Sequence, residues 1–197
     1  MVTSVRIVSA FLGVALTVSP LTSPQMADLG TSTIRPAVPV AKIAVGYLAS
    51  LAAPVGSLSI TVPAGRNYGA GFVGGVVGGE LGTVMVSDSR PVNPNTWVVR
   101  VSSTSFTTGA GLPAQTITNN RVSYWSGTAT SSSGGGNLVP GQPTSAQAQT
   151  LDIPRTAFSK TSGNQDNTVA WSPRLSIMIP TGATSGTYTG RITHSVA

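Results

Sequence analysis

The chain has 197 residues; 8% are charged, 6% aromatic and 40% apolar, and Gly (23) and Pro (14) are frequent. Cysteine is absent, which excludes disulfides, thiolate catalysis and Cys-based metal sites. The net charge of +6 rests on 11 basic residues scattered singly; no Lys/Arg cluster tracks a phosphate backbone, so nucleic acid is not an expected partner.

Residues 1–53 read as separate from the fold. Arg6 precedes an apolar run from Ile7 to Val18, too short to span a bilayer and suited to the apolar region of a signal peptide. Pro20 and Pro24 end it, and Gln25-Met26-Ala27 offers a small residue for cleavage. Arg35 and Lys42 precede a second apolar run, Ile43–Ala53, which stops at Pro54. Three readings stay open: Met26 as the true start, the first run as the signal with a linker behind it, or 43–53 as a short helix on the domain. Export is the expectation, with residues 1–53 as signal peptide and possible linker and 54–197 as the domain. No apolar stretch reaches about 18 residues without interruption, so no permanent membrane span is expected. The chain ends at Thr193-His194-Ser195-Val196-Ala197 with no sortase-type signal or apolar tail; retention on a cell would then be non-covalent.

From Gly56 the pattern has period two. Leu58, Ile60 and Val62 share one face of a strand that Pro63 ends. Residues 64–80 are Gly-rich and read as a mobile connection. No Gly-Lys-Ser/Thr follows, which argues against a phosphate loop. Val84 and Val86 mark the next strand. Asp88-Ser89-Arg90-Pro91 and Asn93-Pro94-Asn95 are turn chemistry, and Trp97, Val99 and Val101 line one face of a further strand. The expectation is a long-looped hairpin of Thr83–Asp88 with Trp97–Ser103.

Ser105–Thr108 and Ala114–Ile117 read as short strands, followed by Arg121–Trp125. Residues 126–149 are low-complexity and read as a flexible loop, part of which pairs irregularly. Leu151–Ser159 is a strand interrupted at Pro154, which suggests an edge or a bulge. Leu175, Ile177 and Ile179 form the clearest buried face, and Gly186–Val196 is the last strand, with Tyr188 and Ile192 facing in. Roughly seven to nine short strands separated by turns, with no convincing helix, indicate an all-β fold, an antiparallel β-sandwich.

Catalytic constellations fail on inspection. The single histidine, His194, is adjacent to Ser195, and neighbours in a strand point to opposite faces. One His and no Cys do not make a zinc site. Glu80, Asp88, Asp152 and Asp166 are dispersed, with no calcium-loop spacing and no glycosidase pair. The expectation is a non-enzyme with no cofactor and no metal. The aromatic residues Trp97, Trp125, Trp171 and Tyr124 remain as candidate binding residues, since an exposed ring stacks on a sugar or anchors a protein; Trp97, on the apolar face of its strand, reads as core, while Trp125 and Trp171 flank loops.

Two strings carry a family resemblance. Leu81-Gly82-Thr83-Val84-Met85-Val86-Ser87-Asp88-Ser89-Arg90 with Thr96-Trp97-Val98-Val99-Arg100-Val101-Ser102 resembles the proximal part of WxL-type cell-wall-binding domains of Gram-positive bacteria, where an Asp-x-Arg turn leads into a Trp-x-Leu strand. Trp171-Ser172-Pro173-Arg174-Leu175, Ile177-Met178-Ile179-Pro180 and Gly186-Thr187-Tyr188-Thr189-Gly190 resemble the C-terminal half of short exported WxL-like proteins of actinobacteria. The resemblance covers about residues 56 to 197. It departs from the family at Val99, where the proximal motif carries Leu, and at His194-Ser195-Val196, where the distal Trp-x-Leu belongs. The resemblance implies a motif role for Asp88, Arg90 and Trp97 and a secreted, cell-surface protein that associates with peptidoglycan. The rival expectation is a structural or adhesive subunit that binds another surface protein.

Overall fold

The computed structural model describes residues 8–11, 56–164 and 166–197; the expected cleavage region and the second apolar run lie outside them. The strands are β1 (Val8–Phe11), β2 (Leu58–Thr61), β3 (Val76–Glu80), β4 (Val84–Asp88), β5 (Trp97–Ser103), β6 (Phe106–Thr107), β7 (Thr116–Ile117), β8 (Val122–Trp125), β9 (Ala129–Ser133), β10 (Leu138–Pro140), β11 (Gln149–Thr150), β12 (Arg155–Lys160), β13 (Asn167–Trp171), β14 (Arg174–Met178) and β15 (Arg191–Val196). Among the described residues, helix is confined to three-residue 3₁₀ turns, and no helix is long and apolar enough to cross a membrane.

The strands form antiparallel sheets. One is five-stranded in the order β1-β15-β5-β12-β10, and two are four-stranded, β2-β4-β13-β9 and β11-β8-β14-β3; β6 and β7 form a small hairpin. Alternation decides which side chains face in. Val84, Val86 and Asp88 of β4 are buried while Met85 is exposed. Trp97, Val99 and Val101 of β5 are buried while Val98 and Arg100 are exposed. The buried face of the five-stranded sheet meets those of both four-stranded sheets. Phe158 of β12 stacks on Trp171 of β13 with ring centroids 4.8 Å apart, and Tyr124 of β8 lies 5.7 Å from the His194 ring of β15. The architecture is the expected all-β, sandwich-type fold.

Several local expectations are corrected. The strands outnumber the roughly seven to nine that regular turn spacing suggests, because the Gly- and Ser-rich segments pair. Val76–Glu80 of the supposed mobile connection is β3, paired with β14 from Val76↔Met178 to Glu80↔Arg174. Ser131, Ser132 and Ser133 of β9 pair with β13, and β10 pairs with β12. β4 and β5 are not a hairpin: β4 pairs with β2 and β13, β5 with β12 and β15. Residues 89–96 carry the chain from one sheet to the other, which the two prolines there allow by removing ladder donors. The expected strand Leu151–Ser159 begins only at Arg155, after Pro154; a bulge lies within it between Thr156 and Phe158, and β12 is interior to its sheet and not an edge. The last strand begins only at Arg191, and Leu58, Ile179 and Tyr188 are half-buried against the core rather than within it.

Truncating the stacked ring in Phe158→Ala is expected to cost about 3–5 kcal/mol of stability in urea unfolding. Val98→Ala, on the outer face of β5, is expected to stay within about 0.5 kcal/mol.

Candidate functional site

The aromatic residues singled out in the sequence are mostly interior. Trp97, Trp171 and Tyr124 are at most 1% exposed, so none presents a ring face to a ligand in the folded protein. For Trp171 and Tyr124 this corrects their reading as surface binding residues; Trp97 lies in the core, as expected from the apolar face of its strand. The cause is register: each occupies an inward position of its strand, next to Val or Ala neighbours that are buried with it. Trp125, one residue beyond Tyr124, is half-buried on the opposite side of β8.

The Asp-x-Arg and Trp residues form a structural clamp. Asp88 has no exposed surface. Its Oδ1 accepts the Arg90 backbone N–H at 3.0 Å and Nε–H at 2.9 Å, and its Oδ2 accepts Nη2–H at 3.0 Å. The same Nη2 donates to the Thr96 carbonyl at 2.9 Å. One residue on, Trp97 Nε1–H donates across to Asn167 Oδ1 at 3.0 Å, and Asn167 is the β13 partner of Asp88. The motif thus fixes where the chain leaves one sheet and enters the other.

His194 is packed in the interior of the sandwich. It is 1% exposed, its Nε2 lies 3.2 Å from the Tyr124 hydroxyl, and burial pushes its pKa down to about 4. Burial also pushes the Tyr124 phenol up; the Trp171 indole N–H nearby opposes this without the geometry of a hydrogen bond. Ser195 faces the other way, half-buried. Among the described residues no group of three or more His, Asp or Glu side chains stands close enough to hold a metal.

A site the sequence did not single out lies at one end of the sandwich. A cleft of about 600 Å³ opens between residues 67–73 and residues 183–188, floored by Val77, Phe106, Ile117, Ile177 and Ile179. The first wall is shaped by local backbone chemistry. Asn67 Oδ1 accepts the Gly69 N–H at 2.8 Å, and Gly75 N–H donates to Phe72 O at 3.0 Å, closing a turn. Gly74 occupies its third position at φ +77°, the conformation a type II turn reserves for Gly. The turn lifts Phe72 into solvent, 90% exposed. A Cβ on Gly71 would come within 2.3 Å of Val77 and 2.6 Å of Ile179, so only glycine lets this wall approach the floor. The second wall is tied down by Tyr188, whose hydroxyl lies 2.9 Å from Thr184 O and 3.1 Å from Ala114 O and shares its one proton between them. Among the described residues the lining carries no charge; Tyr68, Phe72 and Tyr188 supply rings, and Asn67, Thr184, Ser185 and Thr187 supply polar groups. Burial pushes the Tyr68 phenol up to about 12, against the nearby Arg66 charge, so it is a neutral O–H at physiological pH. The available signal was an aromatic pair, Tyr68 and Phe72, inside a Gly run. Phe72 stands on a turn with no strand neighbours to be buried with, whereas Tyr68 packs partly against the core. None of Trp97, Trp125, Trp171 or Tyr124 lines the cleft.

No family model matches the chain, and neither a curated protein nor a solved structure matches it.

Arg90→Ala is expected to destabilise the protein by about 3 kcal/mol in urea unfolding, because it strands the Asp88 carboxylate inside. For His194 the folded pKa lies below the usual value near 6.5. The unfolded chain therefore binds the extra proton between about pH 6.5 and 4, and stability falls as pH drops through that window. The loss, about 3 kcal/mol at its limit, is expected to appear as a falling Tm, and His194→Gln is expected to flatten that slope.

Proposed function

We propose that this is a non-catalytic, exported cell-surface protein that associates non-covalently with the Gram-positive cell wall, using the end cleft as its binding site. The observation that carries the reading is the uncharged cleft itself, where the exposed Phe72 ring and the partly buried Tyr68 and Tyr188 rings stand beside side-chain hydroxyl and amide groups. Rings stack on the apolar faces of sugars while hydroxyls and amides meet their oxygens. The apolar run Ile43–Ala53 behind Arg35 and Lys42 and the resemblance to WxL-type domains support export and a wall setting; the first apolar run adds no support, because its Val8–Phe11 pairs with β15 as β1. In this reading the Asp88–Arg90–Trp97 motif builds the domain and the cleft meets the ligand.

A second reading rests on a separate observation. β3 ends its sheet, and its first residue, Val76, is 62% exposed, with Phe72 and Val73 just before it at 90% and 57%. An open strand edge flanked by exposed apolar residues suits addition of a strand from a protein partner, as a surface subunit would use.

Co-sedimentation of the purified full chain with protein-free Gram-positive cell walls, at low and high salt, tests the first reading. Binding is expected to survive high salt, since screening removes mere attraction of a basic protein to an anionic polymer. Phe72→Ala is expected to weaken it roughly tenfold, and with Phe72 already in solvent its loss does not threaten the fold. Absence of binding at both salts sinks wall association and favours the protein-partner reading.

A further inference from the structure

A lysine and an asparagine meet inside the sandwich. Lys160 ends β12, and Asn95 stands two residues before Trp97, the β5 residue that pairs with Lys160. Two residues apart in an extended chain, Asn95 and Trp97 present side chains on the same face, and that face is the interior. Asn95 has no exposed surface and Lys160 is 1% exposed. Lys160 Nζ donates to the Asn95 backbone carbonyl at 3.2 Å and sits directly against the Asn95 side-chain Oδ1. Gly136 lies close against the lysine stem: a Cβ there would come within 2.5 Å of Lys160 Cε.

The charge balance of this site is unusual. Lysine is almost never fully buried without a partner of opposite charge, yet among the described residues no carboxylate lies within salt-bridge distance of Nζ. Asp88, the one carboxylate there with no exposed surface, has both oxygens engaged by Arg90. A buried ammonium held only by neutral oxygens carries a large desolvation penalty. One reaction removes that charge with the groups at hand.

We propose that Lys160 and Asn95 are joined by an intramolecular isopeptide bond. The lysine ammonium first gives up a proton, which frees the Nζ lone pair. Nζ attacks Asn95 Cγ, a new C–N bond forms, and the C=O electron pair moves onto Oδ1. When it returns, the Cγ–Nδ2 bond breaks. Nδ2 leaves with its two hydrogens, the second proton shed by Nζ and the proton first released, so the products are a neutral secondary amide and ammonium. No oxidant, metal or cofactor enters the balance. The fold supplies what such a reaction needs: two reactants held in contact for the lifetime of the native state and an interior that keeps competing water away. The bond closes a loop between residues 65 positions apart in sequence and ties the start of β5 to the end of β12. In a chain without cysteine it does the work of a disulfide and is insensitive to reductant.

Intact-mass spectrometry of the purified protein, with its N-terminus read so that the sequence mass is known, tests this. The folded chain is expected to weigh one ammonia less than its sequence. A tryptic digest is expected to yield one branched peptide joining the Asn95 and Lys160 segments, with no cleavage after Lys160. Lys160→Met, which fills the same space without a charge, and Asn95→Ala are each expected to restore the full sequence mass. Loss of the cross-link is expected to lower Tm by roughly 10 °C. A native chain of full sequence mass overturns the proposal. So does an ammonia deficit carried by a linear peptide, or one that persists in Lys160→Met. The wild-type mass and digest decide the matter even where a variant fails to fold.

Discussion

A carboxylate with no exposed surface has to be neutralised where it stands, and much of this fold follows from how Asp88 is met. Arg90 reaches back two residues to bind both of its oxygens, which forces the chain to turn at once after β4. The guanidinium is then left beside Thr96, whose carbonyl it also binds. That contact delivers Trp97 into the opposing sheet, where its indole N–H finds Asn167, the strand partner of Asp88. Apolar packing alone tolerates sliding of one sheet over another. A circuit of directional hydrogen bonds, buried at Trp97–Asn167 and partly buried at Asp88–Arg90, does not, so these residues set the relative position of the two layers.

Spending the tryptophans on the interior has a functional consequence. Trp97, Phe158 and Trp171 form one continuous aromatic layer, with centroids 6.5 Å and 4.8 Å apart. Recognition therefore falls to rings outside the strands. The cleft is made where Gly71 lets residues 67–73 press against the floor and Gly74 allows the turn that exposes Phe72. Glycine acts there by shaping a surface, which explains how a segment of low complexity has a defined structure. The same segment contributes β3, whose Gly78 and Gly79 pair with Ser176 and Leu175 of β14.

The candidate site was only partly legible in the sequence. Asp88, Arg90 and Trp97 stood out as a motif, and the structure brings them together, but as a clamp inside the protein. Trp171 and Tyr124 stood out as rings, and tertiary packing buried them. The cleft residues Phe72 and Tyr188 come from segments more than a hundred positions apart, and nothing local links them. The same holds for Lys160 and Asn95, which are unremarkable until two non-consecutive strands pair.

The class of structure is already legible in the order of residues along the chain. Alternating Val, Ile and Trp at period two, interrupted by Pro, Gly and Asn, admits strands and turns and little else, and the inward faces of β2, β4, β5 and β14 follow directly from that alternation. The scarcity of His and acidic residues and the absence of Cys bounded the chemistry in the same way. Only the tertiary structure decided which strands pair, that β4 and β5 part into different sheets, and which aromatic rings reach solvent. Alternation gives a strand two faces but names neither its neighbour nor the layer above it. Those choices rest on contacts between residues distant in the chain, such as Trp97 with Asn167 and Phe158 with Trp171, and such contacts have no local signature.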